Sequence, residues 1–229
     1  VRLMETLSTE VSLLVALVMW AIVGLWMWRW GWRIQRRYLA EFDRAPLSRT
    51  AITWISAIVG ALTLIAAHER PGAPAIVVVA MVGVITSWVD VATHRLPQRY
   101  TYVMALGVLV GLGTALLVDD VAPLRRLLYS VLGALIWFIP LWIGNRLRSG
   151  IGRGDVTLAP VLGAMVGMLG PEPALASLVL TFVSAGLAAL WLVVVESTSA
   201  QTRMALGPWM IGSAIVGHVL WGVIPDWLA

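Results

Sequence analysis

Two aspartates stand apart from the rest of this chain. Asp90 is the only acid inside an apolar stretch long enough to cross a bilayer. Asp155 stands behind two glycines at the threshold of another such stretch, in NRLRSGIGRGDVTLAP, residues 145–160. An ionisable group in such a position is costly unless it meets water, a partner or a task. Two carboxylates at one membrane depth can share a proton for general acid–base work, or bind a cation. Each also has a structural reading: Asp155 as the N-cap of the helix it precedes, Asp90 as an interhelical hydrogen-bonding group. Around Asp90, Thr86, Ser87, Thr93 and His94 fall three and four residues away on either side, which predicts one polar helix face. His94 by itself reads as a loop or interface histidine, and His218 as one bonded to a backbone carbonyl.

The elements that must position these acids are membrane helices. Hydrophobic residues make up 60% of the 229, charged residues 12%, and mean hydropathy is +0.89. A soluble domain usually carries about twice that charge fraction. Eight apolar segments are expected, at 11–28, 51–67, 75–92, 100–118, 127–144, 156–169, 174–195 and 205–224. The sixth is short and interrupted by Pro160. The fold class is therefore all-α, a polytopic integral membrane protein of about eight transmembrane helices. It divides into residues 1–70, two N-terminal helices with a basic loop, and residues 71–229, a six-helix core. Arginine-rich sequence follows the first segment where a cleavage site would stand, so that segment reads as an anchor. The loop RWGWRIQRRYLAEFDRAPLSR is expected to continue its helix against headgroups.

All 16 basic residues are arginine, and there is no cysteine. Disulfides, thiolate metal sites and cysteine nucleophiles are thereby excluded, and nothing in the pattern implies a metal or a cofactor. The pI near 10.3 reads as positive loops facing anionic lipid; no surface domain remains to bind nucleic acid. Twelve arginines fall in odd-numbered loops against three in even-numbered ones, which puts the odd loops in the cytoplasm. Asp90 and Asp155 then lie at the cytoplasmic face, on different helices.

Two stretches together resemble the type IV prepilin peptidases, intramembrane aspartic proteases of the GxGD class. In WVDVATHRLPQRYT, Asp90 is followed by Leu96-Pro97 and then Thr101 at the family's offsets. In GRGDVTLAPVLGAMVG, Gly152, Gly154 and Asp155 lead into Leu158, Leu162-Gly163-Ala164 and Gly167. The resemblance covers residues 75–170 by motif and the later spans by topology. It departs at Thr157, where the family usually has lysine, and at Gln98, where aspartate or asparagine is common. The family's cysteine-rich methylation loop has no counterpart here.

The resemblance implies an aspartic endopeptidase that removes the basic leader of a prepilin-like protein, with Asp90 and Asp155 as the catalytic pair. Asp155 is the better candidate for the ionised member, because a helix N-terminus favours an anion. Gly152, Gly154, Pro97 and Thr101 are expected to position substrate or the acids. The two glycines would serve as positive-φ hinges, and Pro97 would end the helix of Asp90. Gly163 and Gly167 form a small-xxx-small spacing for close helix approach, which would hold Asp155 near its partner. Two other readings stay open. One is an impaired relative acting in pilus assembly. The other is an ion-coupled transporter using both aspartates, although paired broken helices in matching halves are not seen.

Overall fold

The structure, a computed structural model, describes residues 2–68, 70, 72–118, 123–195 and 204–221, with residues 2–9, 118 and 195 as backbone alone. It is all helix among the described residues. Helix α1 (Arg2–Trp26) passes through a π turn (Met27–Gly31) into α2 (Trp32–Ala40), forming one long rod. There follow α3 (Arg49–Ala67), α4 (Ala73–Thr93), α5 (Gln98–Val118) and α6 (Pro123–Arg146). Then come α7 (Arg153–Gly167), α8 (Pro171–Val195) and α9 (Gly207–Leu220). These rods match the eight expected segments, and the basic loop does continue the first helix. Arg203 and residues 222–224 of the last expected segment lie outside the described residues.

Six helices are long and apolar enough to cross a membrane: the α1–α2 rod, α3, α4, α5, α6 and α8. The chain is thus a multi-pass membrane protein by helix length and composition. Helices α7 and α9 are shorter, at 15 and 14 residues. At roughly 1.5 Å per residue, neither matches a hydrocarbon core about 30 Å thick.

Helix α4 is the centre of the bundle. Its apolar residues run all round the cylinder, which is the pattern of a helix with neighbours on every side. Small residues bring those neighbours close. A Cβ on Gly107 or Gly111 of α5 would press on Val78 or Ala75. One on Gly60 of α3 would meet Met81, and one on Gly83 of α4 itself would meet Ile211 of α9. At the far side, α6 and α7 touch backbone to backbone through Gly133, Gly163 and Gly167. The small-xxx-small pair therefore does bring α7 against a neighbour, but that neighbour is α6 and not the helix of Asp90.

Polar groups are placed to fix the long first rod. Tyr100 of α5, fully buried, donates its hydroxyl to the Gly31 carbonyl in the π turn at 2.9 Å. Gln35 of α2 is buried and bonds the Leu47 backbone in both directions, at 2.9 and 3.3 Å. That pair pins the 41–48 connection against α2, and Ser48 then caps α3 by accepting from the Ala51 amide at 3.1 Å.

Gly163→Ala is expected to destabilise the chain by about 1–3 kcal/mol, because its methyl would meet the backbone of Gly133, which has no rotamer to change. Gly113→Ala and Gly186→Ala, whose added methyls would meet nothing within 4 Å, should be neutral or stabilising by up to about 1 kcal/mol. Thermal unfolding in detergent, followed by helical circular dichroism, checks both.

Candidate active site

Asp90 lies in the last turn of α4. That helix ends where His94 takes a left-handed conformation (φ 51°) and its amide donates to the Asp90 carbonyl at 2.7 Å. Pro97 does not perform this stop, as the sequence suggested. It opens the next helix instead, its carbonyl accepting from the Tyr100 and Thr101 amides at 3.0 and 3.4 Å. Of the polar residues expected on one face with Asp90, His94 lines the same cavity and the others do not. Thr86 and Thr93 turn their hydroxyls back onto the Val82 and Val89 carbonyls, at 2.8 and 2.7 Å. Ser87 lies elsewhere, in an apolar hollow with Trp88 and Val91.

Asp155 is not the N-cap of α7 but its third residue. The N-cap is Gly152, in extended conformation (φ −76°, ψ 157°). The Asp155 carboxylate reaches back to accept the Gly152 amide at 2.9 Å. This is one half of a capping box; a glycine has no side chain for the other half. Positive φ is absent at both motif glycines, and in this loop it belongs to Arg148 (φ 56°) and Gly150 (φ 91°). The motif glycines are small for reasons of space. A Cβ on Gly152 would sit 3.2 Å from the Asp155 carboxylate. A Cβ on Gly154 would lie 2.8 Å from Cβ of Leu96.

A third element completes the arrangement, and the sequence reading had missed it. Gly207, the first residue of α9, donates its amide to the Asp90 carboxylate at 3.0 Å in a buried setting. Here too a side chain is excluded: a Cβ on Gly207 would stand 2.7 Å from Asp90 Oδ2 and 3.0 Å from Leu96. Leu96 therefore sits between two glycines, one at the start of α7 and one at the start of α9. Both carboxylates occupy helix N-termini, where the partial positive charge favours an anion. Asp155 lies in the first turn of its own helix, whereas Asp90 sits in the last turn of α4 and faces the start of α9. Gly-Pro before an apolar run marks a helix start here, but nothing in the sequence says what the Gly207 amide meets.

Asp90, Asp155, Gly152, Gly154 and Leu96 line one cavity of about 340 Å³, with Tyr38 of α2 across from them. His94, Arg95, Gln98 and Arg153 complete its wall. Asp90 and Asp155 are 4% and 8% exposed, buried but not sealed. Of the other residues singled out by sequence, Pro97 and Thr101 do not line this cavity. Thr101 is buried in α5 with its hydroxyl unbonded. Among the described residues, no cluster of histidine and acidic side chains could hold a metal ion.

Comparison with known proteins identifies the family. The model of the type IV leader peptidase family matches residues 76–194, which is more than half of the chain. The chain belongs to the type IV leader peptidase family. A prepilin leader peptidase/N-methyltransferase of Dickeya chrysanthemi is 35% identical over 147 residues, covering 61% of this chain and 47% of that protein. The chain thus spans about half the length of the curated relative it matches. No solved structure gives a significant match.

Within this leader peptidase framework the unusual Thr157 is accounted for locally. It is exposed, and its hydroxyl bonds the Gly154 carbonyl one turn back at 2.8 Å. It does not line the aspartate cavity, whereas Arg95 and Arg153 do.

Gly154→Ala is expected to lower stability by about 1–3 kcal/mol through its collision with Leu96. Combining it with Leu96→Ala should recover part of the loss. A double-mutant cycle by thermal or denaturant unfolding should give a coupling energy of about 0.5–3 kcal/mol, against near zero for unlinked sites.

Proposed function

We propose that this chain is an aspartic endopeptidase that cleaves the basic leader from type IV prepilin-like proteins at the cytoplasmic membrane face. The observation that carries the reading is the meeting of Asp90 and Asp155, one from each motif, on one cavity. Residues 71–229 would form the peptidase core, and residues 1–70 would add two helices and bring Tyr38 to the rim. The arginines cluster at the end of the bundle where the cavity opens, which supports the cytoplasmic assignment under the positive-inside rule. The substrate's leader would approach from that side, with its apolar helix remaining in the bilayer.

The chemistry follows from two carboxylates that cannot both ionise cheaply. One, ionised, takes a proton from a water held between them, and the water oxygen adds to the scissile carbonyl carbon. The neutral partner donates to the carbonyl oxygen as charge develops there. A proton then passes to the leaving nitrogen, the C–N bond breaks, and a carboxylate and an amine result. Each carboxylate holds one backbone amide, and because both line one cavity their titration belongs to the pair and not to either residue. We assign the chain cleavage but not methylation, since it has no cysteine with which to build the loop associated with the second activity.

Asp90→Asn and Asp155→Asn should each reduce leader removal at least about a hundredfold when co-expressed with a prepilin-like substrate. Folding should be retained, as thermal unfolding would report. Cleavage persisting at the parental rate in either variant overturns the assignment. Mass spectrometry of the product should find an unmethylated N-terminus. Thr157→Lys should leave the rate within about threefold, or about 0.6 kcal/mol, because Thr157 does not line the cavity. A larger gain would mean that a cation there is used after all.

A further inference from the structure

A second and larger hollow, of about 1060 Å³, lies beside the aspartate cavity and shares Tyr38, Arg95 and Gln98 with it. One wall is the π turn and α2, and the other is the start of α5. Four arginines face it: Arg33, Arg37, Arg95 and Arg99. Glu41 is the one carboxylate on its wall, and it pairs with Arg95 at 3.2 Å. Arg33, Arg37 and Arg99 are exposed, and none of them pairs with a carboxylate among the described residues. The wall of the hollow therefore carries an excess of positive charge.

Its apolar side says what kind of anion. Trp26 and Ile34 form part of the wall, and Tyr102 stands at the other side. From Trp26, Ile22 and Val18 continue one stripe of α1 at four-residue spacing, and they are 54% and 48% exposed. From Tyr102, Leu106 and Leu109 continue a stripe of α5, 58% and 64% exposed. The two helices run in opposite directions and touch, so both stripes lead from the arginines away along the bundle. A soluble phosphate or an acidic peptide would engage the arginines and leave these stripes bare. A ligand with a phosphate joined to a long hydrocarbon chain engages both.

We propose that this hollow binds one anionic phospholipid. Its phosphate is held by Arg33, Arg37 and Arg99, whose planar guanidinium groups suit bidentate contact with phosphate oxygens. An acyl chain lies along Val18 and Ile22 of α1 and Leu106 and Leu109 of α5. The aromatic residues sit at the level of the headgroup, as they do in interfacial belts. The inference rests on the hollow's own charge and surface and does not depend on the peptidase reading.

The test is native mass spectrometry of the full chain in detergent, titrated with phosphatidylglycerol, with phosphatidylcholine of the same acyl chains, or with soluble glycerophosphoglycerol. One phosphatidylglycerol should be retained in clear preference to phosphatidylcholine. Arg37→Gln and Arg99→Gln should each weaken it about fivefold, and the variant with Arg33, Arg37 and Arg99 all changed to Gln about a hundredfold. Arg146→Gln and Arg148→Gln, at the same end of the bundle but outside the hollow, should change retention less than about twofold. Leu106→Asn should weaken the lipid while the protein still unfolds cooperatively on heating. Equal retention of phosphatidylcholine, or unchanged binding in both single arginine variants, overturns the proposal. Glycerophosphoglycerol binding as tightly as the whole lipid would make this a soluble-phosphate site. Displacement of the lipid by an acidic peptide at equal concentration would make it a peptide surface.

Discussion

The constraint on which this structure turns is the cost of keeping two carboxylates beside each other inside an apolar bundle. An isolated charge in such surroundings would simply protonate, and two charges would repel. The bundle answers with backbone and not with side-chain cations. The Gly152 amide meets Asp155 and the Gly207 amide meets Asp90, each at the start of a helix whose peptide dipoles point the same way. Amides of this kind are free at every helix N-terminus and need a partner in any case. The acids and the helix starts thus satisfy one another, and no lysine or arginine need be buried to do it.

That solution dictates the glycines. A backbone amide can reach a carboxylate at 2.9–3.0 Å only if nothing projects from the α-carbon toward it. At Gly207 a methyl would lie within 2.7 Å of the very oxygen being held. The same two helix starts must also close over Leu96, and the room for that side chain comes from Gly154 on one side and Gly207 on the other. The connection between α4 and α5 is in this way clamped to α7 and α9 at one residue. The carboxylate of α4 and the carboxylate of α7 are brought together by packing around Leu96, while α6, through Gly133, holds α7 from behind.

This division explains what could be read from the chain beforehand. Apolar segments announce themselves by length, and an acid among them is conspicuous because so few reasons exist for it. Asp90 and Asp155 were legible for that reason. Gly207 was not, because it acts through its amide across 117 positions of sequence, and a missing side chain leaves no chemical trace of what it touches. Glycine also serves two purposes, unusual φ and close approach, and spacing does not tell them apart. At Gly152 and Gly154 the purpose is approach; the unusual φ moved to Arg148 and Gly150. The polar face around Asp90 misled for a different reason. Threonine in a helix can satisfy itself on its own carbonyl four residues back, so helical spacing alone does not make Thr86 and Thr93 part of a site.

The shape of the interior bears on which chemistry two such acids perform. A transport path must be open to each side of the membrane in turn, so polar groups would be needed on both sides of the pair. Here the residues next along the three converging helices are apolar and buried: Val89 and Ile85 on α4, Leu158 and Leu162 on α7, Met210 and Ile211 on α9. Thr86 lies among them, but its hydroxyl is taken by its own helix. Further along α4, Val82, Met81, Val79 and Val78 are fully enclosed. Beside this apolar layer, Thr181 of α8 and Ser213 of α9 form a buried polar pair hydrogen-bonded to each other. In apolar surroundings two neighbouring carboxylates hold one proton between them at less cost than two separate charges.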